Sequence, residues 1–124
     1  MRKLSFISFG ILVALPSFAQ DGVRSSDTIL TRDQMTALLT GQLVEFFDGS
    51  KSSYSADGVY GYTYTDGGPV WSGQFEVFDD SLVCVDFDNG STRCDRFVKD
   101  GDRVVLITED GTRFPVRNLT VYQR

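Results

Sequence analysis

Two hydrophobic periods divide the chain, a helical one before Gly41 and an alternating one after it. The run Thr31-Arg32-Asp33-Gln34 has the spacing of a capping box, whose first and last side chains satisfy orphan amides at a helix start. Met35, Leu38 and Leu39 then recur at helical spacing, and Gly41 stands where a left-handed C-cap is needed. The pattern predicts one short amphipathic helix. Its stripe either packs on the domain, which we favour, or binds a partner.

Turn-forming pairs recur after Gly41 and separate segments rich in Val, Phe, Tyr, Thr and Ile. The pairs are Asp48-Gly49, Asp57-Gly58, Asp66-Gly67, Asp79-Asp80, Asn89-Gly90, Asp100-Gly101 and Asp110-Gly111. Such short connections allow only antiparallel neighbours. We therefore predict a mainly β fold, an antiparallel meander of about eight strands that curls into a small lipocalin-like barrel or half-barrel, with the helix over one opening.

The two cysteines predict a stapled hairpin. If Asp88-Asn89-Gly90 forms a three-residue loop with Gly90 in the left-handed position, Cys84 lies directly opposite Cys94. Two cysteines in an oxidising compartment indicate one disulfide rather than a redox or metal pair. We expect a Cys84–Cys94 bridge worth about 2–3 kcal/mol.

The first residues predict export. Arg2 and Lys3 precede the apolar run 4–18, and small residues at 17–19 suit a signal peptidase, so we assign 1–19 as a signal peptide, 20–28 as a flexible leader and 29–124 as a single β-rich domain. No later window approaches the roughly 20 apolar residues of a transmembrane helix. We therefore expect a periplasmic or secreted protein without a membrane span.

The charge of the exported form restricts its partners. Removing Arg2 and Lys3 lowers the 12 basic residues to 10 against 17 acidic ones, a net charge of −7. Nucleic acid is excluded, because a phosphate backbone needs clustered Lys and Arg and these cations are scattered. The acidic balance indicates either solubility or a basic partner.

An aromatic row is the most distinctive chemical feature. Tyr60, Tyr62 and Tyr64 alternate onto one face of a strand. A hairpin turning at 66–69 would pair Tyr60 with Phe75, Tyr62 with Gly73 and Tyr64 with Trp71. Two interpretations stay open: a platform for a sugar, aromatic or lipid-like ligand, lined by Tyr60, Tyr62, Tyr64 and Trp71, or a filled barrel interior.

The residues offer little to catalysis or metal binding. The absence of histidine excludes Ser–His and Cys–His nucleophiles and the commonest general base. Nothing marks two of the many carboxylates as an acid–base pair. The run Asp86-Phe87-Asp88-Asn89-Gly90 begins like a calcium loop, but its glycine comes one place early and no glutamate follows at the twelfth position. We predict no catalytic residues, no metal and no cofactor.

Several short motifs together resemble a known group of proteins. They are the leader, the capped helix ending at Gly41, Tyr54-Ser55-Ala56-Asp57-Gly58, Trp71-Ser72-Gly73-Gln74-Phe75-Glu76-Val77, and Cys84 with Cys94 followed by Asp100-Gly101-Asp102. They resemble small secreted or periplasmic alphaproteobacterial β-rich proteins carrying domains of unknown function, in which tryptophan often stands at the place of Phe75. The resemblance implies a β-rich envelope protein and brings no substrate or catalytic residues.

These observations lead to one principal hypothesis and one alternative. The principal hypothesis is a non-catalytic envelope protein that binds a small apolar or aromatic ligand, or a protein, through its aromatic face or barrel mouth. The alternative is a periplasmic inhibitor of a basic wall-degrading enzyme such as lysozyme, by analogy of size, acidity and fold. A hydrolase would need a nucleophile or metal that the sequence does not provide.

Overall fold

The computed structural model describes residues 22–123, so the predicted signal peptide lies outside the described residues. The secondary-structure elements are β1 (Asp27–Ile29), α1 (Arg32–Leu39), β2 (Gln42–Phe46), β3 (Lys51–Tyr54), β4 (Val59–Thr63), β5 (Trp71–Val77), β6 (Leu82–Phe87), β7 (Thr92–Asp100), β8 (Arg103–Ile107) and β9 (Arg113–Val121). Each of the seven predicted turns lies at the reversal between two consecutive strands from β2 to β9, with Asp100 as the last residue of β7. Within residues 22–123, no helix is long and apolar enough to cross a membrane.

Strands β2 to β9 form a closed barrel. Consecutive strands from β2 to β9 pair antiparallel as a meander, and one non-sequential pairing, β2 with β9, completes the ring. Closure leaves no free edge in the eight-stranded wall. This confirms the mainly β barrel with one short helix, and it decides between barrel and half-barrel in favour of the barrel.

The helix begins and ends where its sequence predicts. The Thr31 hydroxyl accepts a hydrogen bond from the Gln34 amide at 3.1 Å, and the Gln34 side chain accepts one from the Thr31 amide at 2.9 Å. Gly41 follows the C-cap with a φ of 75°. Met35 and Leu39 are fully buried in the barrel core, and α1 packs against β2 and β5. The apolar stripe therefore packs on the domain.

The helix makes the two ends of the barrel different. We call the end at which β2 begins and α1 packs the closed end. Large side chains fill the interior there, including Val44, Tyr54 and Phe97. We call the opposite end, formed by the loops 47–50, 64–70, 88–91 and 108–112, the open end.

The β6–β7 hairpin has the predicted register. Cys84 pairs with Cys94, the two form a disulfide, and Gly90 has a φ of 92° in the three-residue loop. Glycine adopts positive φ without a steric cost, so the chain can reverse within three residues. The length of this loop sets which residues of β6 and β7 face each other. The calcium-like run at 86–90 is therefore the end of β6 followed by the hairpin loop.

The β4–β5 hairpin differs from the predicted register by two residues. Tyr62 pairs with Trp71 and Tyr60 with Gly73, so the predicted Tyr64–Trp71, Tyr62–Gly73 and Tyr60–Phe75 pairs are wrong. The reversal is centred on Asp66-Gly67, where the Gly68 amide donates to the Thr65 carbonyl at 3.0 Å, and not on 66–69. When the centre of a turn moves by one residue along the chain, the partner of every residue in the hairpin changes by two positions.

Gly73 is required by a close approach of two backbones. A Cβ at this position would overlap the Asp86 carbonyl oxygen on the neighbouring strand β6. A glycine inside a strand often marks such a bend in a barrel wall. Gly73, which the sequence predicted opposite Tyr62, lies opposite Tyr60 and allows the backbones of β5 and β6 to approach.

Order begins earlier than the sequence indicates. Residues 22–29, which we call the strap, lie on the outer wall of β7 and β8, and β1 pairs with β7. Arg113 holds the strap through two hydrogen bonds to the Asp27 carboxylate, at 2.6 and 3.0 Å, and a third to the Gly22 carbonyl at 2.8 Å. These contacts join positions about ninety residues apart, so no local pattern in residues 20–28 predicts them.

Candidate functional site

The barrel interior opens to solvent at the open end through a cavity of about 140 Å³. Its walls include Phe46, Ser52, Tyr62, Arg93, Leu106 and Phe114. These side chains come from β2, β3, β4, β7, β8 and β9, and they point inward because alternate residues of each strand face the lumen. We call this space the mouth cavity.

A second cavity of about 150 Å³ adjoins the mouth cavity on its aromatic side. It lies between Tyr62, Tyr64, Trp71 and Phe87, and we call it the rim cavity. The Tyr62 and Tyr64 rings meet edge to face with centroids 4.9 Å apart. Because Tyr62 and Arg93 line both cavities, we treat the two neighbouring cavities as one candidate site.

A cluster of polar side chains lies beneath the mouth cavity, and we call it the polar cluster. Its members are Ser52, Tyr60, Arg93 and Asp95. The Tyr60 hydroxyl lies 2.9 Å from the Ser52 hydroxyl and accepts a hydrogen bond from Arg93 Nη2 at 3.1 Å. Arg93 Nε donates to Asp95 Oδ2 at 2.8 Å.

Burial dominates the electrostatics of the polar cluster. The Asp95 side chain is 2% exposed, and burial raises its carboxyl pKa above the usual value although the Arg93 guanidinium acts in the opposite direction. Burial likewise raises the pKa of the Tyr60 hydroxyl, which is therefore neutral at ordinary pH. Asp95 Oδ1 has no hydrogen-bond partner among the described residues. The open half of the interior thus holds a polar network where the closed half holds apolar side chains.

Arg93 is the most exposed member of this network. Its side chain is 35% exposed, and Cζ lies 5.7 Å from the ring centre of Tyr62 and 5.9 Å from that of Phe87. These distances are within the range of cation–π contact. The guanidinium is therefore oriented by two hydrogen bonds and two aromatic faces while one edge meets solvent.

The four residues predicted to line a platform become more exposed from the barrel interior toward the open end. Tyr60 is fully buried and belongs to the core, and Tyr62 is half-buried in the wall of the mouth. Tyr64 is 67% exposed and Trp71 is 47% exposed at the rim. The structure brings Tyr62, Tyr64 and Trp71 together around one cavity, while Tyr60 contributes its hydroxyl to the polar cluster from below.

Sequence reasoning missed Arg93, Asp95, Phe87 and Phe114. Arg93 and Asp95 lie two residues apart and face Val85 and Val83 across the hairpin. A charged pair opposite two valines on one strand face would have indicated polar residues inside the barrel. Phe114 reaches the mouth only through the pairing of β9 with β8, which no local signal predicts.

Exposed apolar side chains gather at the open end. Of the seven large apolar residues exposed within 22–123, five surround the mouth: Phe47, Tyr64, Val70, Trp71 and Phe114. We call them the apolar rim. An exposed apolar patch around a cavity is typical of a binding site.

The loops of the open end are uniformly acidic. They contain Asp48, Asp66, Asp88, Glu109 and Asp110, all exposed, and no Lys or Arg. Lys51, at the start of β3, neutralises one of them through an ion pair with Asp66 at 2.8 Å. The apolar rim is therefore surrounded by negatively charged side chains.

A larger depression lies on the outside of the closed end. It has a volume of about 420 Å³ between α1 and the β1–β7 edge, and its walls include Leu30, Ala37, Leu38 and Lys99. Among residues 22–123, no aromatic side chain and no buried polar group lines it. It lacks the convergence of apolar and polar groups that marks a specific site, so the mouth is the stronger candidate.

No protein-family model, curated protein or solved structure matches this chain. The class of protein is therefore defined by its own fold and site. It is a small closed eight-stranded β-barrel, plugged by a helix at one end and open at the other through an aromatic mouth with an arginine at its centre.

Proposed function

We propose that this chain is a non-catalytic, exported envelope protein that binds a small apolar or aromatic ligand in the mouth of its barrel. The observation that carries the proposal is the pair of adjoining cavities that share Tyr62 and Arg93. Each is close in volume to the roughly 150 Å³ apolar cavity known to bind benzene. Each therefore suits one aromatic ring or a short aliphatic chain.

The proposed location is the periplasm or the extracellular space. Its support is the basic and apolar character of 1–19 together with the Cys84–Cys94 disulfide, since such bonds persist in oxidising compartments. The resemblance to small alphaproteobacterial envelope proteins agrees with this proposal. Mass spectrometry of the exported protein, reading an N-terminus at Gln20, tests the cleavage.

Fluorescence of the single tryptophan tests the binding proposal directly. Trp71 lines the rim cavity and is the only tryptophan in the chain, so its emission reports on the site. We expect a saturable change in emission when single-ring hydrophobic compounds are titrated into the exported form. Tyr62→Ala should abolish the change, whereas Tyr122→Ala, which removes a tyrosine at the closed end, should retain it. An emission that no compound alters would refute the proposed site.

A second candidate function is inhibition of a basic wall-degrading enzyme. It is favoured by the five acidic side chains on the open-end loops and by the apolar rim that they surround. Charge complementarity of this kind accelerates association and fixes partner choice. Lysozyme turnover in the presence of the protein, at low and at moderate salt, is the test.

A matched pair of variants locates any inhibition. Asp66→Asn/Asp88→Asn removes two charges from the open end, and Asp33→Asn/Asp102→Asn removes two from the closed end. Inhibition through the open end should weaken in the first variant alone and decline with added salt. Unslowed turnover at both salt concentrations would dismiss this candidate.

A further inference from the structure

Arg93 lies where the depressions of the open end meet. It lines the mouth cavity, the rim cavity and a third depression of about 380 Å³ beside Glu109, Thr112 and Phe114. No other residue contributes to all three of these spaces. A ligand entering any of them therefore lies beside Arg93.

Two groups hold this guanidinium and leave part of it unused. Nε donates to Asp95 and Nη2 donates to the Tyr60 hydroxyl, while Nη1 donates to no atom of the described residues. Arginine has five N–H donors in a rigid fork, so fixing one edge also fixes the direction of the other. Nη1 is therefore a pre-oriented hydrogen-bond donor of a residue that lines cavities with both aromatic and polar walls.

The surrounding charges favour a neutral acceptor over an anion. Asp95 lies 2.8 Å from Arg93 and compensates its positive charge, and the open-end loops add Asp48, Glu109 and Asp110 without a cation. A ligand carboxylate would gain the hydrogen bond but would enter a region of net negative charge. A carbonyl oxygen would gain the bond without that repulsion.

We propose that Arg93 selects the ligand, which is a single aromatic ring bearing a neutral carbonyl oxygen that accepts a hydrogen bond from Nη1. The ring lies against Tyr62 in the mouth or rim cavity, whose volumes of about 140 and 150 Å³ admit one ring. Asp95 and Tyr60 act as positioning residues for the guanidinium. This inference rests on the proposed ligand-binding function and names the class of its ligand.

Four compounds with the same ring and different head groups test the inference. They are 4-ethylbenzamide, 4-ethylbenzoate, 4-ethylbenzylamine and 4-ethyltoluene, titrated into the exported protein with Trp71 emission and calorimetry as readouts. We expect the amide to bind about tenfold or more tightly than the hydrocarbon, as a hydrogen bond to a charged donor allows. The benzoate should bind more weakly than the amide at low salt and approach it as salt is added.

Arg93→Met/Asp95→Asn removes the donor without leaving a buried carboxylate unpaired. We expect it to bind the amide and the hydrocarbon equally, while Arg117→Met, the same change at an exposed arginine of β9, keeps the wild-type preference. In the wild type, the Arg93 side-chain ¹⁵N resonances should shift on addition of the amide and not of the hydrocarbon. That measurement decides the matter even when the double variant does not fold.

The outcomes separate the inference from the function beneath it. If the hydrocarbon or the amine binds as tightly as the amide, or the benzoate binds more tightly at low salt, Arg93 does not select a neutral carbonyl, yet ring binding in the mouth stands. If none of the four compounds binds, both the inference and the proposed small-ligand function are overturned.

Discussion

The two ends of the barrel are built by the same eight strands but fill their interiors in opposite ways. At the closed end, Met35 and Leu39 of the helix complete an apolar core with Tyr54 and Phe97, all at most 1% exposed. At the open end, no helix of residues 22–123 covers the lumen, the polar cluster occupies the interior, and apolar side chains face solvent.

This contrast separates the half of the barrel that is packed for stability from the half that we propose binds a ligand. A barrel of eight strands has an interior that side chains can just fill, and the closed half uses that volume for packing. The open half leaves cavities and keeps a buried carboxylate, both of which oppose stability. Local departures from efficient packing are expected at functional sites.

The largest expected effect on stability comes from replacing phenylalanine by alanine, and it should differ sharply between the core and the rim. Phe97→Ala should lower the free energy of unfolding by about 3–5 kcal/mol, because it empties a fully buried site. Phe47→Ala at the rim, where the side chain is 64% exposed, should change it by less than about 0.5 kcal/mol. Urea unfolding of a protein comprising residues 20–124 measures both. Equal losses would show that the rim belongs to the core.

The disulfide joins two strands that run through both ends. Cys84→Ser/Cys94→Ser should lower the free energy of unfolding by about 2–3 kcal/mol, because the bridge restricts the unfolded chain. Urea unfolding with and without dithiothreitol provides an internal control. Reductant should destabilise the wild type to the level of the double variant and leave that variant unchanged. A wild type indifferent to reductant would contradict this account.

The strap stabilises the fold from the outer surface of the barrel. Arg113→Met should lower the free energy of unfolding by about 1–2 kcal/mol, because the buried Asp27 carboxylate loses the guanidinium and keeps only the hydrogen bond from the Arg24 amide. Arg117→Met, at an exposed position on the same strand, should have little effect. Limited proteolysis should cut Arg113→Met first within 22–29. Equal resistance of the two variants would mean that the strap does not depend on Arg113.

This contact also predicts sensitivity to acid. The Arg113 hydrogen bond lowers the pKa of Asp27 below its usual value, against the effect of burial. The resulting stabilisation is present above the unfolded pKa of about 3.9 and is lost as pH falls through the lower folded value. Unfolding free energies below pH 4 should therefore converge for the wild type and Arg113→Met.

The smallest expected effect concerns the buried carboxylate of the open half. Burial raises the folded pKa of Asp95, so the folded protein takes up this proton before the unfolded chain as pH falls from neutral toward about 4. Over that window the wild type should gain stability relative to Asp95→Asn, which cannot titrate. Urea unfolding at pH 7 and near pH 4 measures the difference. Parallel pH dependence of the two proteins would contradict it.

Local chemistry made much of the fold predictable. The Thr31–Gln34 capping box, the glycine of Asn89-Gly90 and the alternation around Cys84 and Cys94 each involve residues a few positions apart. Such patterns are readable because backbone φ and the facing of side chains depend on near neighbours. The Tyr60 hairpin shows the limit of this precision, since an error of one residue at Asp66-Gly67 altered every pair.

The candidate site was predictable only in part. Tyr62, Tyr64 and Trp71 stood out because they are aromatic and alternate along two neighbouring strands. Arg93 did not, because its importance depends on Tyr62 from β4, Phe87 from β6 and Tyr60 beneath it. A scattered arginine becomes a central group only when the barrel closes around it.

The sequence by itself determined the seven chain reversals, the helix, the eight strands of the barrel and the facing of the two cysteines, because each is encoded over short distances along the chain. The tertiary structure alone decided that β2 meets β9, which end the helix plugs, and that all five loop acids surround one mouth. These features depend on contacts between distant segments, whose closure balances chain entropy against the burial of a shared interior. Short-range patterns do not carry that information.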